Sequence, residues 1–190
     1  MSLRDEKKQA TAARIRQAAR ELFLARGVDS VSVEDIAAAA GISRASLFNY
    51  YRGKSAILDG LGDDLEQRLL QLVQHYLAKP LATAQRLQLL FAYTARNLEQ
   101  TGDLVRLVFV QGSEGAGFPR VQESLVELVA LGQSRADVRR DIAAEDLAEL
   151  VYLSFVAGLL GWCRQPGLAL ESQLRARADS LALLLANPPA

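Results

Sequence analysis

Hydrophobic residues along this chain recur at intervals of three and four positions, the spacing of one buried face of an α-helix. Between residues 13 and 27 this spacing is followed by Ile15, Ala18, Ala19, Leu22 and Phe23. A longer series of apolar residues, most of them leucines, runs from Ile57 to Tyr76 and is followed by Pro80. Sustained two-residue alternation, the signal of a half-buried strand, does not occur. The pattern therefore predicts an all-α protein of about nine helices.

Residues that begin or end helices divide this pattern into segments. Ser32 and Ser43 each precede a short helical segment, where a serine side chain accepts hydrogen bonds from the free N–H groups of the first turn. Gly41 lies between these segments and can adopt the left-handed conformation that ends a helix abruptly. After a long helix that begins near residue 55, further helices are predicted at 83–100, 103–112, 119–134, 145–163 and 171–186, with breaks at 102, 112–117 and 165–167.

The second and third predicted helices are close enough in sequence to form a helix-turn-helix. Ala37 is small enough for the following helix, at about 44–51, to pack closely, and Leu47 points into the core. In DNA-binding proteins with this arrangement the second helix of the pair enters the major groove. At 100° per residue, the side chains turned away from Leu47 are small or polar, with an aromatic ring at their boundary: Ala45, Ser46, Asn49 and Tyr50, with Phe48 at the edge.

Two cations flank this face. Arg44 lies in the first turn after the capping Ser43, where its guanidinium can pair with a guanine. Lys54 lies at the start of the fourth helix, where its ammonium and free backbone N–H groups can hold one phosphate. The same features also occur in helical bundles that bind no DNA. There, Arg44, Arg52 and Lys54 would be solvated surface residues, and the aromatic residues would belong to the core.

The overall charge, taken by itself, argues against nucleic-acid binding. The formal net charge is +0. However, residues 1–60 hold ten Lys and Arg against seven Asp and Glu, net +3, and residues 61–190 hold twelve against fifteen, net −3. This mild asymmetry favours the N-terminal part as the surface that meets an anionic partner.

Residues 11–58 resemble the N-terminal domain of the TetR (tetracycline-repressor-like) family of bacterial transcription regulators. The resemblance rests on three segments: "RIRQAARELFLARG", "SVSVEDIAAAAGIS" and "RASLFNYYRGKSAIL". It implies that the aromatic residues of the family's third helix fall on Phe48, Tyr50 and Tyr51, and its phosphate-binding lysine on Lys54. The family usually has Tyr where Phe48 stands, so one hydroxyl contact to phosphate is absent.

The resemblance also implies two domains: a DNA-binding domain at 1–54, with its helix-turn-helix at 33–52, and an effector-binding and dimerisation domain at 55–190. Family members mostly form homodimers through their last two long helices. The predicted interface residues are Leu150, Leu153, Ser154, Ala157, Gly158 and Gly161. The predicted lining of an apolar effector pocket is Phe91, Tyr93, Phe109, Phe118, Tyr152, Phe155 and Trp162, although aromatic residues at helical spacing more often belong to the core.

The expected function is therefore a sequence-specific regulator, more often a repressor in this family. It would bind a near-palindromic operator in double-stranded DNA as a homodimer and respond to an unidentified small molecule.

An enzyme is not expected, because the chain has one His and one Cys far apart, no phosphate-binding glycine loop and no metal-ligand set. No cofactor or metal is predicted. Three features favour a soluble, cytoplasmic protein without a membrane role. Cys163 is the single cysteine, the N-terminal segment is charged, and no uninterrupted apolar stretch reaches about 20 residues. The alternative is a helical protein-interaction module that has lost operator binding.

Overall fold

The computed structural model describes residues 2–100, 102–111, 117–165, 167 and 169–188. Within these residues the secondary structure is entirely helical, as the hydrophobic spacing predicts. The helices are α1 (Leu3–Arg26), α2 (Val33–Ala39), α3 (Arg44–Phe48), α4 (Lys54–Leu77), α5 (Thr83–Gln100), α6 (Gly102–Gln111), α7 (Pro119–Ser134), α8 (Ala144–Arg164) and α9 (Leu170–Leu185). Residues 112–116 and 166, which belong to two of the predicted breaks, lie outside the described part.

The chain divides into two compact units. The first runs to Leu65 and takes in the segment that begins at Asp103, and the second runs from Glu66 to Gly102 and resumes at Gly117. The first unit therefore extends beyond the boundary that the sequence suggests at residue 54. The reason is that leucines of α4 and α6, among them Leu58, Leu61 and Leu104, are buried in the same apolar cluster as Leu47.

Serine caps define the helices of the first unit. Ser2 and Ser32 each form a capping box with an aspartate three residues later. The serine side chain accepts a hydrogen bond from the N–H of the aspartate, and the aspartate side chain accepts one from the N–H of the serine. The hydrogen bonds from the side chain and backbone of Ser32 lower the pKa of Asp35. Between α2 and α3, Gly41 has φ +66°, as predicted for a helix stop.

Helix α3 is shorter than the sequence suggests. It ends at Phe48, and the N–H groups of Tyr50 and Tyr51 both donate to the carbonyl of Leu47. This tightened last turn brings the chain from α3 into α4 within five residues.

The second unit is built from the later part of α4 and from α5, α7, α8 and α9. Helix α8 packs against both α7 and α9, and α5 packs against α9. With 21 residues, α8 is the one described helix long and apolar enough to cross a membrane by length and composition, which the interrupted apolar run in the sequence does not suggest. Its buried residues, among them Leu147, Val151 and Leu159, lie inside this unit, so the helix has the character of a core element.

Candidate nucleic-acid interface and ligand cavity

Helix α3 presents a clear division between an inner and an outer side. Leu47 is fully buried, whereas Ser43, Arg44, Ala45, Phe48 and Asn49 are exposed and Ser46 and Tyr50 are half-buried. The hydroxyl of Ser43 accepts a hydrogen bond from the N–H of Ser46 at 3.1 Å and fixes the start of the helix. Seven of the eight residues predicted to meet DNA, all except Lys54, are therefore accessible on α3 and in the residues beside it.

The guanidinium of Arg44 is held by two neighbours in this state. Its Nε lies 2.9 Å from Oε1 of Glu34 on α2, and its Cζ lies 5.6 Å from the centre of the Phe48 ring. Both members of the ion pair are more than half exposed, with side-chain accessibilities of 64% for Arg44 and 54% for Glu34. Such a pair is weak in water, so Arg44 can leave it for a better partner.

Lys54 is placed at the N-terminus of α4, but its ammonium already has protein partners. Its Nζ donates to the backbone carbonyl of Val28 at 2.7 Å and lies 3.5 Å from that of Asp29. These contacts hold the loop after α1 against the start of α4. An ammonium has three donors, so a phosphate contact by Lys54 needs a donor that these carbonyls do not use.

Three polar side chains form a hydrogen-bonded cluster that joins elements of this unit. The sequence does not indicate that these three side chains lie together. Arg16 on α1 donates to both carboxylate oxygens of Asp64 on α4, at 2.6 and 2.9 Å, and to the hydroxyl of Tyr51 at 2.7 Å. Burial disfavours the guanidinium, but the hydrogen bonds to Asp64 and Tyr51 outweigh it and raise the pKa of Arg16. Tyr51 is thereby fixed on the inner side, where the helical spacing places it, and the chain leaving α3 is anchored to two longer helices.

A basic groove adjoins the outer side of α3. It has a volume of about 720 Å³ and is lined by Leu3, Arg4, Lys7, Lys8, Thr11, Ser46, Asn49 and Tyr50. The first turns of α1 thus add three cations beside the candidate reading surface. These charges are visible in the sequence before Ile15, the first buried residue. Hydrophobic spacing, however, does not predict that α1 begins before Ile15, so it does not place the charges on a helix.

The second unit contains an apolar cavity. It is lined by Leu69, Val73, Leu90, Phe91, Thr94, Val121, Leu125 and Phe155. The rings of Phe91 and Phe155 lie 5.4 Å apart between centroids at an angle of 54°. Two of the seven aromatic residues predicted to line an effector pocket are therefore brought together in one cavity.

The other five lie elsewhere. Tyr93 is about half exposed, because two positions along a helix turn it away from Phe91. Phe109 belongs to the first unit. The backbone N–H of Phe118 donates to the hydroxyl of Tyr152 at 2.7 Å, and Trp162 lies beside Gly102.

One face of α8 exposes apolar and small residues. Leu150 and Leu153 are 45% and 51% exposed, Ala157 is exposed, and Ser154 and Gly161 are half-buried. Gly158 departs from the predicted set: it is buried, and a Cβ there would come within 2.7 Å of Leu174 on α9. Its lack of a side chain therefore serves packing within the subunit, while the other five predicted interface residues share an accessible face.

Comparison with known sequences finds a family match within the first unit. Residues 15–61 match the model of the bacterial regulatory proteins of the tetR family. The transcriptional regulator MftR of Mycobacterium tuberculosis is 47% identical over 60 residues, 26% of this chain and only 30% of that protein's length. The transcriptional repressor DhaR of a Mycobacterium species is 26% identical over 153 residues, covering 74% of this chain and 76% of DhaR.

Solved structures extend the likeness to both units. Thermus thermophilus FadR, a TetR-family repressor in complex with lauroyl-CoA, is 28% identical with a TM-score of 0.73, covering 94% of this chain and 98% of FadR. SmeT of Stenotrophomonas maltophilia has the same fold, with a TM-score of 0.76 over 94% of this chain and 92% of its own at 19% identity. Residues 15–61 therefore match the helix-turn-helix segment of the tetR family, and the fold of both units is similar to that of a TetR-family repressor.

Proposed function

We propose that the protein is a transcriptional repressor that binds a near-palindromic operator as a homodimer and is released from it by a small apolar ligand. The observation that carries the proposal is the outer side of α3. A fully buried Leu47 holds a capped turn whose remaining side chains, Arg44 first among them, are accessible. Side chains of these types bind base edges in the major groove, and the cations at the start of α1 are suited to the phosphates beside it.

Dimerisation is supported by the size of the reading surface and by the exposed face of α8. Five helical residues in α3 offer few base contacts, and two-fold symmetry doubles them at half-sites one helical turn apart, about 34 Å, or a multiple of it. Leu150 and Leu153 supply exposed apolar area, which on a protein surface favours a protein partner. The small residues Ser154, Ala157 and Gly161 would allow the same helix of a second copy to approach closely.

Ligand response is supported by the cavity of the second unit and by the relatives. DhaR is a repressor, and the FadR of T. thermophilus was solved with lauroyl-CoA bound. Helix α4 carries residues of the cavity, Leu69 and Val73, and begins at Lys54 in the first unit. A ligand that binds better to one position of α4 than to another would change the separation of the two reading surfaces. Such a protein acts in the bacterial cytoplasm, on the nucleoid.

The test is selection of genomic fragments by the purified full-length chain, with the mass of the complex measured by sedimentation. We expect a small number of discrete sites, each with two related half-sites, bound by an even number of chains. Affinity should fall steeply as salt rises, because phosphate contacts release counterions. Binding to all fragments alike, or to none, would favour the alternative of a helical interaction module without an operator.

A further inference from the structure

One residue that lines the cavity of the second unit has a buried polar atom without a partner. Thr94, on α5, is 2% exposed, and its Oγ1 forms no hydrogen bond with any residue that the structure describes. The seven other lining residues are aliphatic or aromatic. A buried hydroxyl that lacks a partner is costly, and native proteins generally satisfy such groups. Thr94 therefore marks a position at which a bound molecule can supply the missing hydrogen bond.

The charge of the lining limits what that molecule can be. None of the eight lining residues is ionisable. A carboxylate, phosphate or ammonium group placed there would lose its hydration without gaining a counter-charge, and this cost is much larger than that of burying a neutral polar group. The cavity therefore selects against ions and favours an apolar molecule with one neutral hydrogen-bonding group.

The cavity is nearly closed in this state. The space open to a water-sized sphere is about 10 Å³, roughly enough for a single water molecule. An organic ligand has to enlarge it, and the tilted pair of Phe91 and Phe155 forms one wall that must separate. Leu69 and Val73 of α4 form another wall, so enlargement acts directly on the helix that leads to the first unit.

We infer that the effector is an uncharged, mainly apolar molecule whose single hydroxyl, carbonyl or amide group hydrogen-bonds to Thr94 Oγ1, and that it binds by expanding this cavity. The inference rests on the proposed function, since it names the class of ligand that the repressor would sense. It also identifies Thr94 as the residue that distinguishes a polar ligand from a hydrocarbon of the same shape.

Three probes that share an ethylphenyl group test the inference: ethylbenzene, 4-ethylphenol and 4-ethylbenzoate, titrated into the full-length protein by calorimetry at pH 7. We expect 4-ethylphenol to bind about fivefold more tightly than ethylbenzene, the effect of one neutral hydrogen bond of about 1 kcal/mol. The anionic 4-ethylbenzoate should bind at least tenfold more weakly than the phenol.

Two substitutions at one position separate the hydroxyl from the shape of the cavity. Thr94→Val keeps the branched shape without the hydroxyl, and we expect it to bind both neutral probes equally. Thr94→Ser keeps the hydroxyl and should retain the preference for the phenol. An unchanged preference in Thr94→Val, equal binding of the two neutral probes to the wild type, or tightest binding of the carboxylate would overturn the inference.

Operator binding is measured in parallel on the fragments selected from the genome. If the protein binds discrete sites and the probes fail as described, the ligand class is wrong and the proposed function stands. If the probes behave as expected but no site is selected, the cavity is a ligand site and the proposed function is wrong. The two claims therefore fail separately.

Discussion

Replacement of Glu34 by glutamine should strengthen operator binding. In the free protein the Glu34 carboxylate lies 2.9 Å from Nε of Arg44, the residue that we place against a base. Arg44 has to leave this ion pair before its guanidinium can bind a guanine. Glu34 also adds a negative charge beside the surface that we expect to meet phosphates. Glu34→Gln removes both penalties and keeps the size of the side chain.

The magnitude follows from the exposure of the pair. With both side chains more than half exposed, the ion pair contributes about 0.5 kcal/mol per subunit. Two subunits release two pairs, so the gain is about 1 kcal/mol per dimer, which corresponds to roughly fivefold tighter binding. The contact of Arg44 with the Phe48 ring remains in the variant, so the arginine does not lose all of its orientation.

Fluorescence anisotropy with a labelled operator fragment measures the effect. Glu127→Gln, an exposed position on α7 in the second unit, makes the same charge change away from the reading surface and serves as the control. In an Arg44→Ala background the gain from Glu34→Gln should shrink, because there is no ion pair left to break. If Glu34→Gln binds no more tightly than Glu127→Gln, or binds more weakly, the ion pair does not restrain Arg44 and the reasoning is wrong.

Three further substitutions test the packing and the surfaces. Leu47→Ala removes a fully buried side chain and should lower the free energy of unfolding by about 2–5 kcal/mol in urea titration; a loss below about 1 kcal/mol would mean that α3 is not held by this residue. Thr94→Val replaces an unpartnered buried hydroxyl by a methyl group and should raise the free energy of unfolding by about 1 kcal/mol, whereas a decrease would show that the hydroxyl has a stabilising partner. Leu153→Glu puts a charge on the exposed face of α8 and should convert the dimer that we propose to monomers in sedimentation velocity. A dimer of unchanged mass would place the interface elsewhere.

Local patterns made the helices of this chain predictable from its sequence. The spacing around Ile15 and Phe23, the serine before α3 and the left-handed Gly41 are each determined by residues a few positions apart. Helix bounds at 83–100 and 119–134 agree with α5 and α7 to the residue. Hydrophobic spacing does not predict the N-terminal half of α1, because this half has no buried residue.

Features that depend on contacts distant in sequence were not predictable. Arg16 and Asp64 are 48 positions apart, and neither stands out from other charged residues. The predicted pocket is chosen from aromatic residues at helical spacing, but neighbours such as Phe91 and Tyr93 point to different sides of one helix. The unpartnered polar atom in the lining of the cavity belongs to Thr94, and only its burial distinguishes it from a threonine on the surface.

The most direct test of the central claim, that the outer side of α3 reads DNA, is the affinity of Arg44→Ala and Tyr50→Ala for the tightest fragment recovered from the genome. Arg68→Ala, an exposed cation on α4 in the second unit, is the control for the loss of charge. A bidentate arginine–guanine contact contributes about 1–3 kcal/mol, and the dimer has two, so Arg44→Ala should weaken binding by roughly 30-fold or more. Affinities of both α3 variants within about twofold of Arg68→Ala, a difference of only about 0.4 kcal/mol, would contradict the account.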